Sequence, residues 1–159
     1  MATRKSFANV RGMGQLADRL GELASVPSRA AKGAAERINE ELVRQFEEGV
    51  DPYGKPWEAL APRTLLKHDE PPLQGEFGQR PGDMADGTIA SPGSGSGVEL
   101  TVPFPGAIHQ TGARKPPSWR MPARKILPDK GTLPESWREA IDASVSEAFA
   151  KTMGRRRAR

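Results

Sequence analysis

The chain contains no cysteine, and His68 and His109 are the only histidines among its 159 residues. Disulfide bonds are therefore excluded, and so is a structural zinc site closed by cysteine and histidine ligands of one chain. No apolar run reaches the roughly 18 residues that span a bilayer, and the N-terminal residues lack the apolar core of a signal peptide. These absences predict a soluble cytoplasmic product that uses neither a metal nor a membrane.

The local motifs of common enzymes are also missing. The sequence has no G-x-S-x-G around a serine nucleophile and no glycine loop ending in Lys-Ser or Lys-Thr, and its Gly-Ser run at 93–97 is turn material. As a general base, His109 needs an oriented partner that the sequence does not suggest, whereas a structural hydrogen bond needs only a nearby carbonyl. We therefore predict no enzyme activity, no catalytic residue and no cofactor.

Positive charge exceeds negative charge only modestly, with 24 Lys and Arg against 20 Asp and Glu. This excess permits contact with nucleic acid or with an acidic protein surface without demanding either. The length favours one domain with a core of its own. We divide the chain into a basic arm (1–11), a single domain (12–153) and an arginine-rich tail (154–159).

Apolar residues recur at helical spacing in three places. They predict a short helix between Met13 and Leu23, and a longer amphipathic helix from Pro27 to a stop at Gly49. A capping-box pattern from Thr132 to Glu135 predicts the start of a third helix. The third helix carries an apolar stripe that we expect to face its packing partner: Trp137, Ile141, Val145, Phe149 and Met153.

Short alternating runs predict a hairpin. Thr88–Ala90 and Val98–Val102 flank a glycine-serine connection, and we interpret the run from Met121 to Leu127 as an edge strand that returns to the same sheet. Residues 67–86 are rich in Pro and Gly and predict a loop. The fold class that follows is α+β, with a small, mainly antiparallel sheet packed by N-terminal and C-terminal helices and long Pro- and Gly-rich loops.

A turn and a tryptophan follow the second helix. Asp51-Pro-Tyr-Gly54 has the residue preferences of a type I turn. Trp57 comes three residues later and is either a surface contact or an anchor against the Phe46 end of the helix. We favour the anchor, because a tryptophan buries so much area.

The tract from Pro103 to Leu127 is a proline-rich, shaped loop. Ile108-His109-Gln110-Thr111-Gly112, followed by Met121-Pro122-Ala123-Arg124, resembles the Mu-like phage virion morphogenesis family, also called tail-completion proteins. The upstream residues Phe46, Asp51 to Trp57, Leu60 and Thr64 resemble the same family's helix end, tight turn and tryptophan. The resemblance covers Leu16 to Met153, and it depends on the succession of these motifs.

The resemblance implies a structural, non-catalytic protein of the virion, made in the host cytoplasm. It would complete the tail at the neck, where head and tail join. The implied partners are further copies of the chain in a homo-oligomeric ring, six by analogy with the family, the tail tube or tail terminator, and the head connector. Genomic DNA passing through the ring is a further expected contact.

The charges of two loops suggest how subunits meet. The stretch from Pro103 to Leu133 has six basic residues and one acidic residue, whereas that from Lys67 to Asp86 has five acidic and two basic residues. We therefore predict a head-to-tail contact between these loops of neighbouring subunits. The predicted interface residues are His109, Gln110, Arg114, Lys115, Arg120, Met121, Arg124, Asp83 and Asp86.

An alternative function is a small basic nucleic-acid-binding protein. Its contacts would come from Arg114, Lys115, Arg120, Arg124, Lys125 and the tail. The tail arginines, Arg155, Arg156, Arg157 and Arg159, are either a solvated end or a DNA contact. No nucleic-acid recognition motif supports the alternative.

Overall fold

A computed structural model of the chain describes residues 7–62, 73, 83–104, 106–115 and 119–154. The helices are α1 (Phe7–Ala24), α2 (Val26–Glu48), α3 (Asp83–Gly87), α4 (Gly106–Thr111) and α5 (Glu135–Gly154). The strands are β1 (Ile89–Pro92), β2 (Val98–Thr101), β3 (Ala113–Lys115) and β4 (Trp119–Met121). Helices packed around a small antiparallel sheet confirm the predicted α+β class.

The central element is α2, and its sequence explains its bounds. Pro27 sits in the first turn, where its missing N–H would have no helical partner. Gly49 ends the helix with a φ of 67°, and its N–H approaches the backbone oxygens of Gln45 and Phe46. The buried face has apolar residues at helical spacing: Ala31, Ala35, Ile38, Leu42 and Phe46. The prediction for this helix is confirmed.

Small side chains join α5 to α2. The buried residues of α5 are Trp137, Ala140, Ser144, Ala148 and Thr152. At Gly33 of α2 a Cβ would lie 3.3 Å from Ser144 Oγ, so the two helices approach closely. The hydroxyls of Ser144 and Thr152 donate to the backbone oxygens of the residues four positions earlier, at 2.7 and 2.9 Å. These buried polar groups are therefore satisfied within the helix.

Our prediction of the buried stripe on α5 was wrong over most of its length. Trp137 is buried, but Val145, Phe149 and Met153 are 46, 49 and 47% exposed. The stripe one position earlier faces α2 instead. This stripe is buried because its small residues allow the backbones of α2 and α5 to pack closely. The large residues of the predicted stripe would keep the two helices apart.

The hairpin of β1 and β2 packs on α2, as predicted. The two strands are antiparallel, with Ala90 opposite Leu100. The side chain of Asn39 on α2 donates to the backbone oxygen of Ala90 at 2.9 Å and accepts from its N–H at 2.7 Å. A single amide thus satisfies both backbone groups of Ala90 and fixes the strand to the helix.

The predicted edge strand from Met121 to Leu127 was wrong. Met121 ends β4, which pairs with β3 in a separate two-stranded ribbon. The chain from Pro122 to Leu127 is in neither a helix nor a strand, and it belongs to neither sheet. Its backbone is held by side chains instead of a neighbouring strand, as described below.

Three further boundaries differ from the prediction. α1 begins at Phe7, inside the segment we assigned to a basic arm, and α3 occupies the end of the predicted acidic loop. α5 begins at Glu135, so Thr132 precedes the helix and does not cap it as a capping box would. Thr132 instead closes a turn, its N–H donating to the oxygen of Asp129 at 3.1 Å.

The apolar core has two parts. One part, around Ile38, Leu42 and Trp137, lies between α2, α5 and the hairpin. The other surrounds Ile126 and Trp57 at the carboxyl end of α2. The apolar stripe of α1 belongs to neither, since Met13, Leu16, Leu20 and Leu23 are exposed. None of the helices that the structure describes combines the length and apolar character needed to cross a bilayer.

Candidate functional site

The segment at 122–129, which we call the clasped segment, is held by side chains from three other parts of the chain. Gln110 of α4 makes three of the contacts. Its Oε1 accepts from the N–H groups of Ile126 and Leu127, both at 2.9 Å, and its Nε2 donates to the oxygen of Leu127 at 2.7 Å. One glutamine amide therefore replaces the hydrogen bonds that a partner strand would give.

The backbones of the two central motifs meet at Gly112. The N–H of Arg124 donates to the oxygen of His109 at 2.7 Å. Gly112 has a φ of 71°, and a Cβ there would lie 2.8 Å from the oxygen of Met121 and 2.9 Å from the nitrogen of Ala123. Only glycine combines that φ with so close an approach. The Ile-His-Gln-Thr-Gly and Met-Pro-Ala-Arg motifs are thus two halves of one structural unit.

The tryptophan motif holds the same segment from the other side. Trp57 is buried, and its Nε1 donates to the oxygen of Lys125 at 2.9 Å. Its ring meets that of Phe46 edge to face, with centroids 5.5 Å apart. Gln45 on α2 donates to the oxygen of Ile126 at 3.0 Å. Trp57 therefore connects the helix end, the turn and the clasped segment.

The Asp51 turn adds a further connection. Oδ1 of Asp51 accepts from the N–H groups of Tyr53 and Lys55, both at 2.9 Å, which fixes the turn. Tyr53 Oη then accepts from the N–H of Asp129 at 2.8 Å and donates to the oxygen of Thr132 at 2.9 Å. The turn predicted from the sequence is confirmed, and its tyrosine binds the far end of the clasped segment.

Arg124 lies inside this arrangement. Its Nε donates to the oxygen of Glu58 at 2.8 Å and its Nη2 to the oxygen of Ala59 at 3.1 Å. Burial lowers the pKa of Arg124, and the nearby Glu58 opposes that effect. The guanidinium is a crosslink between the tryptophan motif and the clasped segment, and it is not exposed to a partner.

His109 is buried beside Arg124. Burial lowers its pKa below the usual 6.5, and the positive charge of Arg124 lowers it further. The imidazole is therefore neutral at neutral pH. The structural role that we favoured for His109 fits this position better than acid–base chemistry does, because the imidazole is buried within the chain.

We predict a pH dependence of stability from this histidine. Because its pKa is lower in the folded chain, the unfolded chain binds more protons as the pH falls below about 6.5, and stability decreases there. The free energy of unfolding should fall by at most about 1.4 kcal/mol per pH unit, the limit for one proton. Denaturant titrations between about pH 8 and pH 5 measure it. His109→Gln should remove this component, and an unchanged slope in that variant would contradict the assignment.

The structure separates the predicted interface residues into three groups. His109, Gln110 and Arg124 make the contacts above within the subunit. Arg120 and Asp86 are exposed and Met121 is half-buried. Arg114 and Lys115 lie on β3 and Asp83 at the start of α3. The tail arginines fall outside the described residues.

Sequence reasoning missed Gln45 and Tyr53 as parts of the site. Gln45 lies one residue before Phe46 on an otherwise apolar face, and this is the signal that was available. A polar residue on a buried face is retained only if it is hydrogen-bonded, and so it indicates a partner.

The described side chains offer no metal site, since no three His, Asp or Glu groups among them come together. Surface depressions lie between α2 and α5, beside β2, and beside the Asp51 turn, where Gln45 and Asp51 line the depression. The geometry around Ile126 is a polar crosslink, and the exposed Arg120 lies on the adjoining strand β4.

Comparison with known proteins shows the family to which the chain belongs. The model of the phage virion morphogenesis family matches residues 8–146, most of the chain. This protein belongs to the phage virion morphogenesis family, and its role is therefore in the assembly of a phage virion. No curated protein and no solved structure matches the chain.

Proposed function

We propose that the protein completes the phage tail at the head–tail junction, where it assembles as a homo-oligomeric ring and acts without catalysis. Family membership over residues 8–146 is the observation that carries this proposal. Its partners at the neck are the tail tube or tail terminator on one side and the head connector on the other. The ring contacts all of them through complementary surfaces.

The clasped segment supports an assembly role physically. Gln45, Trp57 and Gln110 fix its backbone through hydrogen bonds of 2.7 to 3.0 Å. A surface that is already ordered loses little conformational entropy when it docks. The ribbon of β3 and β4 is continuous with this segment and thus presents Arg120 from a fixed base.

Charges then set the register between neighbouring subunits. Arg120 and Asp86 are exposed, so each is available to a second copy, whereas Arg124 is engaged with Glu58 and Ala59. Exposed pairs contribute only about 0 to 1 kcal/mol each, and so they select the partner more than they bind it. Arg120→Glu or Asp86→Lys should weaken assembly most at low salt, while Arg124→Glu should unfold the site and is not a test of assembly.

The proposal is tested by head–tail joining. Lysates of a phage lacking the protein should contain separate heads and tails, and addition of the purified protein should restore infectious particles. Native mass spectrometry of the protein alone, or with tail tubes, should show one closed assembly. Joined particles in the lysate lacking the protein would reject the proposed function.

The nucleic-acid alternative has less support. Of its proposed contacts, Arg124 is buried and Lys125 pairs with Asp129 at 2.6 Å. The tail arginines lie outside the described residues, and we propose them as the DNA contact within a ring. We therefore keep DNA as a ligand of the assembled protein and not as its primary partner.

Removal of the tail after Gly154 tests that DNA contact. Because four arginines repel one another and bring no apolar residue to a core, their loss should leave the melting temperature unchanged. Binding to double-stranded DNA should weaken. The negative slope of log K, where K is the DNA association constant, against log salt concentration should become shallower by about 0.9 for each lost phosphate contact. Filter binding at several salt concentrations measures the slope. A melting temperature lowered by many degrees would contradict this prediction.

A further inference from the structure

Phe104 is a large apolar residue whose side chain is exposed although the backbone beside it is held in place. Its side chain is 87% exposed, the highest value among the large apolar residues that the structure describes. It follows Pro103, whose oxygen accepts from the N–H of Gly106 at 2.7 Å in a tight turn. Pro103 in turn packs on α3, where a Cβ at Gly87 would lie 2.8 Å from Pro103 Cγ. The backbone is therefore held in place while the aromatic ring is left in water.

An apolar groove lies beside strand β2 of the hairpin. Its volume is about 280 Å³, and it runs between β2 and the helices α2 and α5. Val98, Leu100, Leu133, Trp137 and Ile141 line it together with alanines of α2, and no lining residue is charged. An apolar cavity of about 150 Å³ is enough to hold benzene. The groove therefore has the size and chemistry for one phenyl ring.

We propose that Phe104 of one subunit inserts into this groove on the next subunit, an inference that rests on the ring proposed above. Val98, at the start of β2, lines the groove, whereas Phe104 lies beyond the end of β2. The two surfaces are different parts of the molecule, so the contact is head to tail. A repeated head-to-tail contact closes into a ring when its rotation divides a full turn.

Charge complementarity favours a second copy of this chain as the occupant. The exposed Asp86 adjoins Gly87, the residue on which Pro103 packs, and Phe104 follows Pro103, so Asp86 and Phe104 flank the same backbone contact. The exposed Lys130 precedes Leu133 of the groove by three residues. Docking Phe104 brings these opposite charges to the same interface. A fixed aromatic side chain in an apolar pocket is the typical energetic centre of such a contact.

Single substitutions separate the two halves of this contact. Phe104→Ala removes the inserted ring, and Leu133→Glu places a charge at the groove, where Leu133 is 47% exposed. Each should raise the concentration for half-assembly by about tenfold or more and leave the melting temperature unchanged. Val43→Ala is the matched control, because Val43 is exposed on α2 and lines no part of the groove. It should assemble like the unmodified protein.

Crosslinking then tests the direction of the contact. The chain has no cysteine, so introduced thiols are unique. A mixture of the single variants Phe104→Cys and Leu133→Cys is held above the raised concentration for half-assembly that loss of the phenyl ring causes, and is treated with a short bis-maleimide. It should give crosslinked dimers, whereas neither variant alone should. A chain carrying both substitutions should give a ladder longer than a dimer. The pair Phe104→Cys with Val43→Cys should give none.

The outcomes distinguish this inference from the proposed function. If the unmodified protein assembles and Phe104→Ala assembles equally well, or if the mixed cysteine variants do not crosslink, the insertion of Phe104 is rejected and the ring remains. A crosslink that stops at the dimer in the doubly substituted chain also rejects the head-to-tail arrangement. If the unmodified protein forms no assembly even with tail tubes, the proposed function itself fails.

Discussion

Replacement of Trp57 by alanine should lower the free energy of unfolding by about 3 to 5 kcal/mol. The side chain is buried in the second part of the core with Phe46 and Ile126. Truncation leaves a cavity there and removes the hydrogen bond from Nε1 to the oxygen of Lys125. Urea unfolding followed by circular dichroism measures the loss.

Two controls separate packing from hydrogen bonding at this position. Trp57→Phe keeps an aromatic ring near Phe46 but removes Nε1–H, and it should cost about 1 to 3 kcal/mol. Phe104→Ala removes a large aromatic group from water and should change stability by less than about 0.5 kcal/mol. An unfolding midpoint for Trp57→Ala equal to that of the unmodified protein would show that Trp57 is not an anchor.

Apolar spacing and turn residues predicted much of the fold, because these elements depend on residues that are close in the sequence. The bounds of α2 follow from apolar spacing, from Pro27 and from Gly49, all within one stretch of sequence. The hairpin follows from two alternating runs and a glycine-serine turn. In each case the residues that decide the structure are close in sequence.

The wrong predictions concern segments whose structure is determined by residues that are distant in the sequence. The clasped segment has the composition of an edge strand, but its backbone bonds to the side chains of Gln45, Trp57 and Gln110. Gln45 lies 81 residues before Ile126, so the periodicity of apolar residues in the sequence gives no sign of their hydrogen bond. On α5, spacing predicted the stripe of large apolar residues, whereas the close approach of Gly33 to Ser144 favours the neighbouring stripe of small ones.

Sequence reasoning singled out the motifs around His109 and Arg124, and the structure brings their backbones together. However, His109 and Arg124 are buried and hold the subunit's own loops, so they support a surface without forming it. A positively charged residue in a loop indicates a partner only when it lacks one within the chain, and the sequence does not show the backbone oxygens of Glu58 and Ala59 that bind Arg124.

We expect substitutions of the buried hydrogen-bonding residues and of the exposed residues to have different effects on stability and assembly. Substitutions at Gln45, Gln110 or Arg124 should reduce stability and thereby assembly. Substitutions at Phe104, Arg120 or Leu133 should reduce assembly while the melting temperature stays constant. A comparison of melting temperature with particle mass for each variant therefore assigns every residue to one group.

Gly112→Ala is the second substitution with a large expected effect, a loss of about 2 to 5 kcal/mol. Two costs add at this position. The backbone has a φ of 71°, which alanine adopts unfavourably, and the new Cβ would lie 2.8 Å from the oxygen of Met121. Relief of that contact requires the two central motifs to separate, which weakens the bond between Arg124 N–H and the oxygen of His109.

Gly131→Ala is the matched control for Gly112→Ala. Gly131 has a φ of 85°, but nothing lies within 4 Å of a Cβ built there, so its replacement carries only the backbone cost of about 1 to 2 kcal/mol. The difference between the two variants measures the close approach of the motifs by itself. Equal losses in urea unfolding would mean that the motifs adjust without cost and that Gly112 is needed only for its φ. A larger loss for Gly112→Ala, with proteolysis increased near Arg124, is the result that we expect.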